Sequence, residues 1–484
     1  MRLDALIDEA GLPSSGHLVA TEGDLSTDVT SVTMDSRSLQ RGGLFVCVPG
    51  TQRDGHDFAL SAVGAGAAAV VAERHLDLGV PLVVVTSTRR CLGALASAFW
   101  GQPSEHMAVV GVTGTNGKTT TCALLASIFA AHGWSSATLG TLSGTRTTPE
   151  APELQARLSR LRSEGVAAVA MEVSSHALDQ HRVDSTRFAA AVWNNLSQDH
   201  LDYHESMGAY FAAKARLFER SFTELAVINT GDKWGSLLAD RIATSGMTIE
   251  TWSLDDASEL ELGRRGSTFS WRGQRLRLAL PGRFNVDNAL GAATCAMALG
   301  VPHPAVVDGL AAVTQVPGRF QAVDGGQAFT VLVDYAHTPE GLRQALEAAR
   351  ELCDGRLLVV FGAGGDRDPQ KRPLMGEVAA NLADLAVVTS DNPRHEDPYA
   401  IIEAIMAGAS RRDNVVVEAD RAAAIATALA TAQPDDVVLI AGKGHETGQQ
   451  IGDRLEPFDD VEVVRDALAR IHASRRPLRS EDEQ

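Results

Sequence analysis

The segment Gly111-Val-Thr-Gly-Thr-Asn-Gly-Lys-Thr-Thr-Thr121 has the residue types of a phosphate cradle. Glycines let backbone N–H groups close around phosphate oxygens, and a helix N-terminus adds a favourable dipole. Gly114, Thr115, Asn116, Gly117, Lys118, Thr119 and Thr120 are therefore candidate nucleotide contacts. Lys118 carries the charge to meet the outer phosphates, and the Thr119 hydroxyl suits Mg²⁺. The spacing departs from the standard phosphate-loop pattern, because Val112 stands where the first glycine belongs. A plain glycine-rich turn is the bland alternative. The flanks argue against it: an apolar run at 107–110 precedes the loop and a helical pattern at 122–131 follows.

Other groups invite similar weighing. Glu172, in Met171-Glu-Val-Ser-Ser-His176, could complete a Mg²⁺ site with Thr119 or be a structural strand-end acid. His200 could ligate metal or meet phosphate, although a lone loop histidine is more often solvated. Lys214 lies in an amphipathic helical pattern and by composition reads as a surface lysine. Asn285 and Asn288 could contact a purine, with helix capping as the default. Arg319 and Asp334 flank a boundary and could reach a nucleotide held between domains, or be ordinary surface charges. Asp391-Asn-Pro-Arg394, Arg367 and Glu446 bring two arginines and one glutamate to strand ends. Such a set suits a ligand bearing carboxylate and ammonium groups, such as an amino acid. A strand-end salt-bridge network is the alternative.

These groups need a scaffold, and 484 residues exceed one core. The size prior suggests about three domains. Expected units are 1–103, 104–315 and 316–484, all α/β. The first is small. The second opens with the glycine loop and has strand candidates at 167–171, 189–193 and 225–228, short apolar runs that fit a buried parallel sheet. A polar stretch at 248–277 reads as a β-hairpin region and 286–298 as a helix. In the third unit, strands at 330–333, 357–361, 385–389, 415–417 and 437–440 alternate with helices starting near Thr338, Pro373, Pro398 and Arg421. That is a doubly wound, Rossmann-like pattern, which binds ligands beyond the carboxyl ends of its strands. The polar segments sit at those ends.

Net charge is −18, which disfavours nucleic acid and anionic membrane as general partners. The five cysteines, Cys47, Cys91, Cys122, Cys295 and Cys353, are scattered, so a zinc site or disulfide framework is not expected and a reducing cytosol fits. The acidic N-terminal stretch is not a signal peptide, and no apolar run is long enough to span a membrane. The charged tail at 474–484 reads as frayed.

Taken in order, these segments resemble the Mur ligases, most closely those adding the third residue of the peptidoglycan stem peptide. Gly114-Thr-Asn-Gly-Lys-Thr-Thr120 alone would give only the superfamily, which includes folylpolyglutamate synthase. The similarity narrows with Met171-Glu-Val-Ser-Ser-His-Ala177, Asn195-Leu-Ser197, Asp199-His-Leu-Asp202 and Asp334-Tyr-Ala-His-Thr-Pro339, and runs from Asp35-Ser-Arg37 to Gly442-Lys-Gly-His-Glu446.

The resemblance implies an N-terminal uridine-binding domain, a central P-loop ATPase-like domain and a C-terminal amino-acid-binding domain. The implied activity is ATP-dependent addition of meso-diaminopimelate to the D-glutamate of UDP-MurNAc-L-Ala-D-Glu through an acyl phosphate. ATP and Mg²⁺ are the implied cofactors, in a cytoplasmic monomer whose partners are small molecules. Lys118, Lys214, Glu172 and His200 match catalytic positions. Thr119, Glu172, His200 and Lys214, the last as its N6-carboxylysine carbamate, match the metal site. Asn288, Arg319 and Asp334 join the glycine loop on the nucleotide. Met34, Ser36, Thr51, Gln52, Arg53, Thr147, Thr148, Ser174, Gln180 and Arg182 match the UDP-substrate site. Arg367, Asp391, Asn392, Pro393, Arg394, Gly442 and Glu446 match the diaminopimelate site.

Arg394 favours diaminopimelate over L-lysine, the substrate of a related branch that usually lacks this arginine. Two features depart from the family pattern. The connection from Thr141 to Thr147 is short, and Arg146 stands where some members use asparagine. An L-lysine-adding ligase, folylpolyglutamate synthase and a scaffold protein without catalysis stay open as rivals at this stage.

Overall fold

The computed structural model describes residues 1–50, 53–144, 146–409 and 413–475. Three sheets dominate. The first has five strands in the order Leu18–Glu22, Leu82–Val85, Ala69–Ala72, Leu44–Val46, Val32–Thr33. It is parallel except for Leu18–Glu22, which pairs antiparallel with Leu82–Val85. That strand is mostly exposed, so no apolar run betrays it in the sequence.

The second sheet has six parallel strands: Thr248–Trp252, Leu225–Asn229, Ala190–Trp193, Ala108–Thr113, Ala168–Glu172 and Ser136–Leu139. Its strands are apolar runs because both faces are covered. Val110 and Val112 enter one core with Leu124 and Ile128, whereas Val109 enters another with Leu154 and Leu158. Successive side chains point to opposite faces, so each must be apolar. The polar stretch expected to form a hairpin region splits in two. Thr248–Trp252 becomes the sheet's edge strand, and Ser258–Gly263, Gly266–Trp271 and Gln274–Leu278 form a separate antiparallel sheet. Its Phe269, Trp271, Leu276 and Leu278 are buried in the same core as Val110.

The third sheet runs Gln321–Ala322, Thr330–Asp334, Val437–Ala441, Leu357–Phe361, Leu385–Val388, Val415–Val417. Only the short first strand is antiparallel. Here too alternate residues serve two cores: Leu357, Val359 and Phe361 face one, Leu358 and Val360 the other. Each such buried side chain contributes about 1.5–3 kcal/mol relative to exposure. Side chains cap three helices of this domain. Thr338 accepts from the Gly341 N–H, Asp397 from Tyr399 and Asp420 from Ala423, each cap worth about 1 kcal/mol. These caps set where the chain turns from strand end into helix, and so where the polar strand-end loops lie.

Helix Asp460–Arg475 takes in the start of the segment read as frayed; residues 476–484 lie outside the described residues. No helix among the described residues is long and apolar enough to cross a membrane. The second and third sheets are bridged at their rim, where Arg264 of the small antiparallel sheet pairs with Asp354 at 2.7 Å and Asp435 at 3.1 Å.

Candidate active site

A cleft of ≈ 310 Å³ opens at the carboxyl ends of the second and third sheets. The glycine loop forms one wall. Strand Ala108–Thr113 feeds it, and helix Lys118–Ala131 leaves it, starting four residues before the apolar helical pattern at 122. Gly117 has φ +84°, and a Cβ there would lie 2.2 Å from Asn288 Oδ1 and 2.8 Å from Asn194 Nδ2. Only glycine permits both the left-handed turn and the close packing.

Thr115, Asn116, Gly117, Lys118, Thr119 and Thr120 line the cleft, as do Asn288, Arg319 and Asp334. Gly114 sits just behind, its carbonyl accepting from Lys118 Nζ at 2.9 Å and Lys214 Nζ at 2.8 Å. Asn288 does not cap its helix. Helix Arg283–Ala298 begins at Gly282, and Asn288 lies inside it, facing the loop and accepting from the Thr121 hydroxyl at 3.4 Å. Asn285 donates to the Pro281 carbonyl at 2.7 Å.

A short chain of hydrogen bonds crosses the cleft. Arg319 Nη2 donates to Thr119 Oγ1 at 3.2 Å, and Thr119 Oγ1 donates to Glu172 Oε1 at 3.0 Å. Glu172 Oε1 also accepts from the Thr141 N–H at 2.8 Å. Arg319 stacks over the Tyr335 ring with Cζ 4.6 Å from its centroid. Its Nε is buried without a partner among the described residues. An unpaired buried guanidinium N–H calls for an anion. Asp334 accepts from the N–H groups of Phe320 and Ala336, and burial raises its pKa while Arg319 pulls it down. Asn116 Nδ2 donates to Gln344 Oε1 at 2.9 Å, a second tie across the cleft.

Lys214 overturns its surface reading. Only 1% of it is exposed. Burial first, then the Lys118 charge, holds its pKa well below the ordinary lysine value. Lys118 is lowered by burial as well, against the opposing pull of Glu172. His200 shares the cleft with Glu172. Burial brings its pKa down to about 4, Asp199 opposing, so its ring is neutral and keeps a lone pair near pH 7.

The Mg²⁺ implied by the sequence finds suitable donors. Thr119 and Glu172 give hard oxygens on the cleft wall, too few to encircle an ion, and no group of three His, Cys, Asp or Glu side chains gathers among the described residues. That partial set fits a cation that keeps water and phosphate oxygens as its other ligands.

The candidate UDP-substrate residues fall into two groups. Thr148 Oγ1 donates to the Glu172 carbonyl at 2.9 Å and lies 3.4 Å from the Ser174 hydroxyl. Arg182 reaches the Thr148 carbonyl at 3.1 Å and Gln180 Oε1 at 2.6 Å. Thr147 lines the cleft itself. Met34, Ser36 and Arg53 lie on the first sheet's side, Met34 and Ser36 half-buried and Arg53 exposed. Thr51 and Gln52 lie outside the described residues. Glu150 was not singled out in the sequence, yet it ties the groups together. It binds Arg89 of the first unit at 2.7 Å, Arg182 at 3.0 Å and Arg146 at 3.6 Å.

The third sheet's strand ends carry the second cluster. Asn392 Nδ2 donates to Glu446 Oε2 at 2.7 Å. Arg394 Nη1 donates to the Gly365 carbonyl at 2.7 Å, and a Cβ on Gly364 would lie 2.9 Å from that nitrogen and 3.7 Å from Arg367 Cγ. Both arginines thus converge over Gly364. Asp391 is buried, its Oδ2 without a partner among the described residues. Gly442, at φ +118°, leaves it room. Pro393 is buried between Asn392 and Arg394. Tyr335 joins the two clusters, stacked by Arg319 on the cleft side and 5.1 Å from the His445 ring on the other. Lys443 is a residue sequence reasoning missed; it sits inside a quoted motif, but nothing local signals its burial.

Known proteins of similar sequence fit this architecture. Residues 28–100 match the Mur ligase family catalytic domain, 112–296 the Mur ligase middle domain and 318–444 the Mur ligase glutamate ligase domain. A Bacillus cereus protein named UDP-N-acetylmuramoyl-L-alanyl-D-glutamate–2,6-diaminopimelate ligase is 41% identical over 466 residues, covering 91% of this chain and 94% of the relative. A Streptomyces coelicolor protein of the same name is 43% identical over 473 residues, covering 92% and 93%. A solved structure of that name superposes with a TM-score of 0.67 at 33% identity, over 94% of this chain and 98% of the other. A Thermotoga maritima MurF ligase structure, at 20% identity and a TM-score of 0.64, shares the fold, over 94% of this chain and 100% of the other. With relatives at this identity aligned along nine-tenths of its length, the chain belongs to the Mur ligase family.

Proposed function

We propose that the protein is the ATP-dependent ligase that joins meso-diaminopimelate to the D-glutamate of UDP-MurNAc-L-Ala-D-Glu. In this reading residues 1–103 hold the uridine end, 104–315 the nucleotide and 316–484 the amino acid. The observation that carries it is the junction at Tyr335. There an anion-seeking cleft and a cluster suited to a zwitterion meet at neighbouring strand ends. The names borne by these relatives support the same substrates.

A carboxylate is a poor electrophile, so amide formation needs activation. ATP transfers its γ-phosphoryl group to the D-glutamate γ-carboxylate, giving an acyl phosphate and ADP. The diaminopimelate amine attacks the acyl carbon, phosphate leaves and one proton is released. Lys118, the loop N–H groups and Arg319 offset charge on the transferring group. Thr119 and Glu172, with His200 and Lys214 as its carbamate, would hold Mg²⁺, which supplies charge neutralisation on the phosphates. Arg182, Thr147, Thr148 and Ser174 orient the acyl donor, the D-glutamate carboxylate, beside Glu172. Arg394 and Arg367 pair with diaminopimelate carboxylates, and Asp391 and Glu446 face its ammonium groups. Asn116–Gln344 and Arg319–Thr119 contacts across the cleft keep water from the acyl phosphate.

The test is ADP release with UDP-MurNAc-L-Ala-D-Glu against a panel of amino acids that includes L-lysine. Turnover should require both co-substrates and favour diaminopimelate. Preference for L-lysine would replace the reading with the related branch.

A further inference from the structure

Lys443 is the most deeply buried cation at the amino-acid cluster, with 0% exposure. An ammonium without water must be fully paired. Its Nζ donates to three acceptors: Asn392 Oδ1 at 3.1 Å, Glu446 Oε2 at 3.1 Å and the Gly448 carbonyl at 2.7 Å. These belong to three segments of the cluster: the strand-end turn at 391–394, the glycine-rich loop at 442–446 and the hairpin Gly448–Ile451 with Arg454–Pro457.

The contacts remove every rotational freedom that matters. Asn392 Oδ1 accepts from Lys443 and from the Gln450 N–H at 2.9 Å, so its Nδ2 must turn to Glu446. Glu446 Oε2 then accepts twice, from Lys443 and from Asn392. The partly exposed Glu446 side chain is left with Oε1 as its open face. The hairpin is drawn in as well, so that Gln450 O accepts from the Arg394 N–H at 3.0 Å and Gln449 Nε2 reaches the Asp391 carbonyl at 2.6 Å.

We infer that Lys443 is a positioning residue for amino-acid selection: it locks Asn392 and Glu446 in the orientation that receives the incoming ammonium group. The inference rests on the function proposed above. Lys443 does not touch the substrate; it acts through Glu446 and Asn392.

Lys443→Met keeps chain length but removes charge and donors. The expected result is a KM for diaminopimelate raised on the order of 10–100-fold, the loss of charge-assisted hydrogen bonds. The KM values for ATP and UDP-MurNAc-L-Ala-D-Glu should stay within about two-fold, as for independent sites. In a Glu446→Gln background the same change should cost less, since the partner carboxylate is already gone. Lys443→Gln, which keeps a donor, carries the same comparisons if the methionine variant does not fold. An unchanged diaminopimelate KM would overturn the inference. So would an equal rise in all three KM values with a fallen Tm, the mark of a purely structural lysine. A wild-type protein inactive with every amino acid would instead sink the proposed function, and this inference with it.

Discussion

Lys118 and Lys214 place their ammonium nitrogens on one acceptor, the Gly114 carbonyl, at 2.9 and 2.8 Å. Lys214 is buried and Lys118 half-buried, and each carries the same charge. Lys118 has a second acceptor in the Thr115 carbonyl at 2.9 Å, yet two neutral carbonyls offset two adjacent cations poorly, so the pair is relieved when one lysine gives up its proton. Lys214 is the member pushed further down, by burial and then by Lys118. A neutral amine there can add CO₂, losing a proton and becoming a carbamate, and the like-charge pair then becomes an opposite-charge one. The sequence reached carbamylation only through family resemblance; the crowded lysine pair is a physical reason to expect it at Lys214. Lys214→Met should therefore lose both the ¹³C carbamate signal seen with labelled CO₂ and nearly all ADP release. Persistence of the signal would place the carbamate on another lysine.

Lys118→Ala removes a cation held on two loop carbonyls, those of Gly114 and Thr115, each at 2.9 Å. ADP release should fall by at least ~10²–10³, the usual loss for a lost charge stabiliser. Folding should be preserved, because a buried repulsion is removed along with the charge. Turnover near the wild-type rate would contradict the assignment of the loop.

Arg394→Ala should raise the diaminopimelate KM by roughly 10–100-fold, the worth of a charged hydrogen-bond pair. The ATP KM should not move, since Arg394 does not line the nucleotide cleft. An unaltered diaminopimelate KM would show that the arginine serves only its Gly365 contact.

Gly442→Ala tests the floor of the same site. The position has φ +118°, and the added Cβ would meet Asp391 Oδ2 at 2.4 Å. Strain alone costs roughly 1–3 kcal/mol. Amino-acid binding should be lost in calorimetric titration while ATP binding remains. Retained affinity would mean that Asp391 can swing away freely.

His395 gives a pH dependence with a defined sign. It bridges Asp366 at 2.8 Å and Asp453 at 3.1 Å, tying the hairpin loop to the arginine-bearing loop. Hydrogen bonding to Asp366, then to Asp453, raises its pKa above the ordinary 6.5. A raised folded-state pKa means the bridge contributes fully below pH 6.5 and is lost as pH climbs through the folded value. The Tm gap between wild type and His395→Gln should be widest below that pH and close above it. A gap that widened with pH would reverse the assignment.

Much of this protein was readable as a string. Runs such as Leu357–Phe361 and Val437–Ala441 lie where their apolar residues predicted, because a strand covered on both faces has no polar side to hide it. The strand, glycine loop and helix around Lys118 are local in sequence, so their order alone specified a phosphate cradle. Local signals failed where burial depends on what arrives from elsewhere. Lys214 sits on an amphipathic helix and looked solvated; the loop at Gly114, one hundred residues away, covers it. Lys443 gave no sign of its 0% exposure, because the walls around it come from 391–394 and the hairpin. Asn116 and Gln344 meet across 228 residues, and periodicity carries no information at that range. Sequence alone determined which groups could do chemistry and on which strand ends they stand. Only the tertiary structure decided which charges share an acceptor and which lose their water, because desolvation is a property of the enclosing walls rather than of the residue enclosed.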